Sequence, residues 1–191
     1  MQNIAVYCGS GVGKNPAFEQ GAKNLGKVLI ERNHGLVYGG GNVGLMGIIA
    51  DELLAGGGHV IGVIPQALYD REVAHTQLTE MLVVDTMHER KALMMKHADA
   101  FIAMPGGIGT LEELFEVMTW YQLGFHYKPV GILNINGYYD QLLGFLNHAA
   151  AEAFIREDLH DLYVADSDPA KLLDKLAEAK KHFEGRLKRV D

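Results

Sequence analysis

Cysteine and basic residues are both scarce in this sequence. Cys8 is the only cysteine among 191 residues, so neither an intrachain disulfide nor a cysteine zinc cluster can form, which favours a reducing compartment. Lysine and arginine together number 17 against 24 acidic residues, which gives a formal net charge of −7. A nucleic-acid-binding surface normally shows a clustered basic excess. We therefore expect a cytoplasmic protein without a nucleic-acid partner.

Long hydrophobic runs are missing as well. No apolar run reaches the length of a transmembrane helix, so we expect no membrane partner. The first ten residues, MQNIAVYCGS, lack a charged segment followed by a long apolar one and do not resemble a signal peptide. The composition, 48% hydrophobic and 21% charged, is typical of a globular protein. We expect a single domain spanning residues 1–191 that buries roughly 70% of its unfolded surface.

The most informative stretch is PGGIGTLEE, residues 105–113. It follows the apolar run 100–104 and opens an amphipathic segment, 111–121, which predicts a strand, a glycine turn and a helix. Gly106, Gly107 and Gly109 permit positive φ and carry no Cβ, so backbone N–H groups could close on a ligand at the helix N-terminus. An anion, most often a phosphate, is the expected ligand.

The same residues have a purely structural interpretation. Thr110 and Glu113 stand at the spacing of a capping box, in which Glu113 would only cap the helix. A cap needs at most one preceding glycine, however, and three glycines in four positions favour a bound ligand.

A basic pair begins the preceding helix. Thr86 and Glu89 also have capping-box spacing, which places Arg90 and Lys91 in the first turns, where the helix dipole disfavours cations by about 0.3–1 kcal/mol each. A bound anion would hold them there, and arginine offers a planar fork suited to phosphate. The alternative is a solvated pair on an exposed face.

Two further glycine loops follow predicted strands. GSGVGK, residues 9–14, is not a Walker A motif, because Cys8 replaces the first glycine and Asn15 replaces the magnesium-binding Ser or Thr. Asn15 and Pro16 instead predict the N-cap and first residue of a helix, which Gly35 would end.

The loop GGGNVGLMG, residues 39–47, matches a dinucleotide fingerprint only weakly. The next predicted strand ends in Ile64-Pro65, where a ribose-binding acid would be expected. We interpret both loops as nucleotide-proximal without NAD, with Gly9, Ser10, Gly40 and Gly41 as the candidate residues. A tight turn that only lets helix and strand pack is the alternative for the second loop.

Predicted strands and helices alternate along the chain, with glycines at the strand ends. This order predicts an α/β protein with a Rossmann-like, open and mostly parallel sheet of about seven strands and helices on both faces. Ligands of such folds bind at the carboxyl ends of the strands, where the glycine loops and Arg90 fall. The irregular segment 66–79 is a candidate lid.

Four segments together resemble a known family. PGGIGTLEE, MHERKA, VYGGGNVGLMG and TWYQLGFHYKPVGILN resemble the Lonely Guy (LOG) family of cytokinin-activating phosphoribohydrolases, whose members are often mislabelled lysine decarboxylases. The resemblance covers nearly the whole chain. It implies hydrolysis of the N-glycosidic bond of N6-modified adenosine 5′-monophosphates (cytokinin nucleotides) and of AMP, releasing free base and ribose 5-phosphate. It also implies a homodimer and no cofactor.

The resemblance implies particular site residues too. The family's catalytic arginine and glutamate correspond to Arg90 and Glu113. Its substrate contacts correspond to Glu72, Arg90, Lys91, Gly107, Ile108, Gly109, Thr110, Leu111, Glu112, Glu113 and Thr119. Whether Arg90 binds phosphate or assists departure of the base stays open, as does the preferred base.

The alternatives are a carrier protein and a lysine decarboxylase. A non-catalytic nucleotide or molybdenum-cofactor carrier could use the same fold with Glu113 as a cap, although the joint presence of Arg90 and Glu113 speaks against it. A lysine decarboxylase would need a pyridoxal phosphate lysine and a partner for the pyridinium nitrogen, and no motif supplies them.

Overall fold

The architecture is that of a computed structural model that describes residues 1–70, 74–155 and 162–187, with side chains described through residue 181. One parallel sheet holds seven strands, in the order β4-β3-β2-β1-β5-β6-β7. The strands are β1 (Asn3–Tyr7), β2 (Gly35–Tyr38), β3 (Val60–Pro65), β4 (Glu80–Val84), β5 (Ala100–Ala103), β6 (Val130–Leu133) and β7 (Val164–Asp166). The predicted fold class is confirmed, and within the described residues every strand pair is parallel.

Helices connect the strands. They are α1 (Pro16–Glu31), α2 (Gly44–Ala55), the short α3 (Gln66–Leu68), α4 (Met87–His97), α5 (Ile108–Gln122), α6 (Asp140–Ala151) and α7 (Pro169–Leu187), with a 3-10 turn at Ile135–Gly137. Two buried clusters, one on each face of the sheet, form the core. One contains residues of α1, α2 and α7, and the other contains residues of α4, α5 and α6.

The strands are almost entirely apolar because both faces of the sheet are covered. Every residue of β2, β3, β5 and β6 is buried. Such continuous apolar runs are typical of parallel sheets between two helix layers. The pairing of β1 with both β2 and β5 places the reversal of strand order between β1 and β5. In open α/β sheets, the crevice at this reversal is the usual ligand site.

The start of α1 agrees with its sequence signals, and its end does not. Asn15 accepts a hydrogen bond from the N–H of Ala17, and Pro16 is the first helical residue. Gly35 was expected to end the helix, but it is the first residue of β2. Asn33 adopts the positive φ of 54° that follows the helix, a conformation that asparagine tolerates better than most residues. The prediction for Gly35 was therefore wrong.

Candidate active site

A cleft of about 290 Å³ opens at the carboxyl ends of β1 and β5. Four segments converge on it: the end of β1 with its glycine turn, the segment from the end of β2 into α2, the start of α5, and α4 with Arg90. Its lining residues are Val6, Tyr7, Cys8, Gly9, Ser10, Gly39, Met46, Arg90, Met94, Gly107, Ile108, Gly109, Thr110 and Glu113. A neighbouring cavity of about 360 Å³ shares Gly9, Ser10 and Gly107 and extends to Phe18 and Tyr138.

Helix α5 begins earlier than its capping-box spacing predicts. Gly107 is the N-cap residue and no side chain caps the helix. The first helical hydrogen bond runs from the N–H of Leu111 to the carbonyl oxygen of Gly107, at 3.1 Å. Thr110 and Glu113 therefore lie inside the helix, and the capping-box interpretation of this pair is wrong. Within the described part of the chain, the N–H groups of Ile108, Gly109 and Thr110 donate to no carbonyl, as expected for the first turn of a helix.

The three glycines of this turn matter because they lack a side chain, and their backbone angles are not unusual. None of Gly106, Gly107 and Gly109 has a positive φ, so that expectation was wrong. A Cβ on Gly106 would press into the side chain of Thr110 and lie 2.9 Å from the backbone N of Gly9. At Gly107 and Gly109 a Cβ would meet no atom within 4 Å. This open space above uncapped N–H groups suits an anion at a helix N-terminus.

Arg90 and Glu113 face each other in the cleft. Nη1 of Arg90 lies 3.2 Å from Oε1 of Glu113, and the two side chains are only 12% and 11% exposed. The Nε–H of Arg90 donates to the carbonyl oxygen of Val63, at 3.1 Å. The sheet thus orients the guanidinium, and the guanidinium in turn faces the carboxylate.

The charge on Glu113 depends on two opposing effects. Burial raises the pKa of its carboxyl, and the positive charge of Arg90 lowers it, with a net shift upwards. A carboxyl group with a raised pKa that still has a cationic partner is typical of a catalytic group.

Lys91 is held differently from the expectation. Its Nζ donates to Glu112 at 2.6 Å and to Glu116 at 2.8 Å, both carboxylates of α5. Burial opposes the charge of Lys91, but these hydrogen bonds outweigh it and raise its pKa. Lys91 is not among the residues lining the cleft. The inference that an anion is needed to hold both cations was therefore wrong, because protein groups hold each of them.

The other predicted site residues are divided between the cleft and its surroundings. Gly9 and Ser10 line the cleft, together with Gly107, Ile108, Gly109 and Thr110. Leu111 packs into the core cluster, and the hydroxyl of Thr119 donates to the carbonyl oxygen of Phe115. Neither Leu111 nor Thr119 lines the cleft.

In the loop after β2, Gly40 and Gly41 mainly allow close packing and backbone pairing. Gly40 has a φ of +74°, and a Cβ there would lie 3.1 Å from Ile64. Gly41 pairs with Ala74, and the N–H of His75 donates to the carbonyl oxygen of Gly40. Neither Gly40 nor Gly41 lines the cleft, whereas Gly39 does. The packing alternative thus describes Gly40 and Gly41, and Glu72 lies outside the described residues.

Several cleft residues were missed in the sequence. Tyr7 and Cys8 lie at the end of β1, and their pKa values are raised by burial first and by the negative charge of Glu113 second. Met46 and Met94 supply apolar walls. Tyr7 and Cys8 could have been found, because they immediately precede the first glycine turn. The methionines carry no local signal, since helix periodicity marks them only as core.

No group of His, Cys, Asp and Glu side chains able to hold a metal ion occurs within the described ranges. None of the helices in those ranges is long and apolar enough to cross a membrane.

Fold and site together define a Rossmann-like α/β protein with a buried arginine–carboxylate pair at the sheet edge where ligands of such folds bind. A family model described as "Possible lysine decarboxylase" matches residues 46–176. The chain belongs to this family, the one to which the Lonely Guy phosphoribohydrolases belong, so the family resemblance is confirmed.

Curated relatives match nearly the whole chain. The cytokinin riboside 5′-monophosphate phosphoribohydrolase LOG of Oryza sativa subsp. japonica is 50% identical over 184 residues, which are 96% of this chain and 76% of that protein. The cytokinin riboside 5′-monophosphate phosphoribohydrolase LOG3 of Arabidopsis thaliana is 49% identical over 178 residues, 93% of this chain and 83% of the relative.

Solved structures with the same fold are more distant in sequence. The molybdenum cofactor binding protein of Rippkaea orientalis has a TM-score of 0.69 at 22% identity, covering 93% of this chain and 96% of that chain. The molybdenum cofactor carrier protein of Chlamydomonas reinhardtii has a TM-score of 0.69 at 20% identity, with 93% and 97% covered. These likenesses show the fold alone.

Proposed function

We propose that this protein is a phosphoribohydrolase that cleaves the N-glycosidic bond of nucleoside 5′-monophosphates, releasing the free base and ribose 5-phosphate. The observation that carries the proposal is the Arg90–Glu113 pair, which lies in a cleft beside the uncapped N-terminus of α5. The relatives at about 50% identity are named for this activity on cytokinin riboside 5′-monophosphates. N6-modified adenosine monophosphates are therefore the first substrates to test, with AMP beside them.

The phosphate would lie at the start of α5. The free N–H groups of Ile108, Gly109 and Thr110 and the positive end of the helix dipole favour an anion there. Because Gly107 and Gly109 leave open space, the phosphate could approach the backbone closely. Fixing the phosphate fixes the sugar, and a well-oriented reactant accounts for several kcal/mol of a typical rate enhancement.

The reaction itself needs charge stabilisation at the sugar. The bond between C1′ and the base nitrogen breaks, its electron pair leaves with the base, and water attacks C1′ through an oxocarbenium-like transition state. The carboxylate of Glu113 would stabilise the developing positive charge and orient the attacking water, whose proton leaves as the C–O bond forms. The departing base takes up a proton. Arg90 lies where it could pair with the substrate's own negative charge, while its positive charge partly offsets the rise that burial causes in the pKa of Glu113.

A homodimer is the proposed assembly, and the cytoplasm is the proposed compartment. Apolar side chains on and just after α5 are exposed: Phe115 is 38%, Leu123 62% and Phe125 69% accessible. An apolar patch beside the active-site helix is the kind of surface that a second copy would cover. The single, buried Cys8 fits a reducing compartment.

A carrier function is less well supported. The molybdenum-cofactor proteins share the fold at 20–22% identity, whereas the phosphoribohydrolases share half of the sequence. In the carrier alternative Glu113 would only cap its helix. Glu113 does not do so, since it lies inside α5 and faces Arg90.

The decisive experiment is a base-release assay. The purified protein is incubated with AMP and with isopentenyladenosine 5′-monophosphate, and free base and ribose 5-phosphate are followed by chromatography. We expect equimolar release of both products from at least one substrate, and release that is slower by roughly a hundredfold or more with Glu113→Gln under the same conditions. Binding of nucleotide without any release would support the carrier function instead.

A further inference from the structure

Gly39 follows β2 and lies directly against the side chain of Arg90. A Cβ built on Gly39 would overlap Nη2 of Arg90, lie 3.2 Å from its Cζ and lie 3.4 Å from Sδ of Met46. The neighbouring Gly40 has a positive φ and Gly39 does not. The φ angle of Gly39 therefore does not by itself require glycine. What excludes a side chain at this position is the guanidinium of Arg90.

The guanidinium has contacts on three sides. Its Nε–H donates to Val63 in the interior of β3, its Nη1 faces Glu113, and its Nη2 lies over Gly39. The carbonyl oxygen of Val63 is fixed by the sheet, and Glu113 is fixed by α5. If a methyl group is added at position 39, the part that can yield is the flexible end of Arg90.

We propose that Gly39 is a positioning residue for the reaction: by lacking a side chain, it leaves the space in which the guanidinium of Arg90 is held against both Val63 and Glu113. Gly39→Ala would remove none of the side chains that line the cleft and yet would displace the cation that faces the carboxylate. The kinetic consequences rest on the proposed function. The electrostatic consequence at Glu113 does not.

The surroundings of Glu113 let this displacement be measured. Arg90 is the only one of the described cationic side chains that forms an ion pair with Glu113. The titratable and charged groups that act on Glu113, or are acted on by it, are Arg90 and Lys91 from α4, Glu112 and Glu116 from α5, and Tyr7 and Cys8 from β1. Because Lys91 is already paired with both neighbouring glutamates, it cannot readily replace a displaced Arg90.

The first test is an NMR titration of the Glu113 side-chain carboxyl in protein labelled with ¹³C-glutamate, assigned by the signal that is lost in Glu113→Gln. Wild type, Gly39→Ala and a control, Gly144→Ala, are compared. Gly144 lies in α6, and a Cβ there meets no atom within 4 Å. We expect a higher pKa for Glu113 in Gly39→Ala than in the other two proteins. Equal pKa values in all three would overturn the inference.

The second test is kinetic. For the substrate that wild type cleaves, Gly39→Ala should lower kcat/KM by about tenfold or more and move the acid limb of kcat to higher pH. A displaced Arg90 no longer orients the Glu113 carboxylate and lowers its pKa less. Gly144→Ala should change neither quantity. A pH profile of Gly39→Ala that coincides with that of wild type would contradict the proposal even if the rate had fallen.

The third test is a double-mutant cycle with Arg90→Ala, which removes the guanidinium. In that background Gly39→Ala should have no further effect on residual kcat/KM. Should Gly39→Ala alone lower the Tm, it should lower it no further in the Arg90→Ala background, since the overlap is gone. An unchanged effect of Gly39→Ala in the Arg90→Ala background would show that Gly39 acts independently of Arg90.

These tests separate the two hypotheses. If wild type releases no base from any nucleotide, the proposed function fails, while the titration still decides whether Gly39 positions Arg90. If wild type is active and Gly39→Ala behaves like Gly144→Ala, only the positioning role fails.

Discussion

Arg90 and Glu113 form an ion pair with an N–O distance of 3.2 Å, although they belong to helices that follow different strands. Arg90 lies in α4, which precedes β5 in the chain, and Glu113 lies in α5, which follows β5. Both side chains are almost completely buried at the cleft. The pair therefore joins the two helices that flank β5 and places opposite charges at the ligand-binding edge.

Glu113→Gln should lower hydrolysis by roughly a hundredfold or more while nucleotide affinity changes little, because the amide keeps the shape but loses the charge. Measured kcat and KM values for the preferred nucleotide check this. Arg90→Ala should damage both turnover and binding, since the substrate would lose its cationic partner. Near wild-type turnover of Glu113→Gln would exclude a catalytic role for this residue.

The 5′-phosphate should be required for catalysis as well as for binding. An enzyme that uses a remote group to orient the reacting sugar loses kcat when that group is absent. Adenosine should be a very poor substrate beside AMP, ATP should also be poor, and ribose 5-phosphate should inhibit competitively. If adenosine is cleaved within about tenfold of AMP, a difference of about 1.4 kcal/mol, the anion site at α5 is refuted.

The acid limb of kcat should lie above the range of an ordinary glutamate. Burial raises the pKa of Glu113 more than Arg90 lowers it, and the reaction needs the carboxylate, so activity is present above this raised pKa and is lost as the pH falls through it. A pH–rate profile at saturating substrate tests this expectation. An acid midpoint at or below about 4.3, the ordinary value for glutamate, would contradict it.

His126 should make the protein less stable in mild acid. Its Nε2 lies 2.8 Å from the carbonyl oxygen of Val117, and its Nδ1 accepts from the N–H of Lys128. Burial lowers its pKa, so the unfolded chain binds a proton near pH 6.5 that the folded protein does not. Stability is therefore full above about pH 6.5 and falls as the pH decreases below it.

Unfolding curves between pH 5 and pH 8 measure this contribution. His126→Gln cannot titrate but can still donate to Val117, so its stability should fall less steeply below pH 6.5 than that of wild type. Parallel pH dependences in the two proteins would show that His126 makes no contribution.

The protein should sediment as a dimer of the 21.0 kDa chain at micromolar concentration. Leu123 and Phe125 are both more than half exposed beside α5, and covering them with a second copy removes apolar surface from water. The double variant Leu123→Asp/Phe125→Asp should shift the species towards the monomer. Wild type that sediments only at 21 kDa would argue against the dimer.

The alternation of apolar segments and glycine turns was sufficient to predict the sheet and the edge that carries the site. Buried parallel strands must be apolar throughout. A chain that alternates strand and helix can bury its strands and the apolar faces of its helices in few ways other than a parallel sheet covered by helices. The capping signals of α1 and α4 were equally local. Asn15 caps its helix, and Thr86 and Glu89 exchange both hydrogen bonds of a capping box, as their spacing predicts.

Thr110 and Glu113 have the same local pattern as Thr86 and Glu89, and only tertiary structure distinguishes the two pairs. The turn before α5 packs against Gly9, the helix begins at Ile108 without a side-chain cap, and Glu113 faces Arg90. Lys91 was likewise expected to face an anion, but α5 supplies two carboxylates one helical turn apart that bind it.

The sequence alone thus determined the fold class and the family, and it nominated Arg90 and Glu113 as the candidate pair, because periodicity, turn chemistry and a specific motif are local properties of the chain. The partner of each charge was decided only by tertiary structure. Ion pairs such as Arg90–Glu113 and close approaches such as that of Gly39 to Arg90 depend on how α4 and α5 pack on one face of the sheet. No spacing along the chain encodes that packing, since it depends on the volumes and register of residues far apart in sequence.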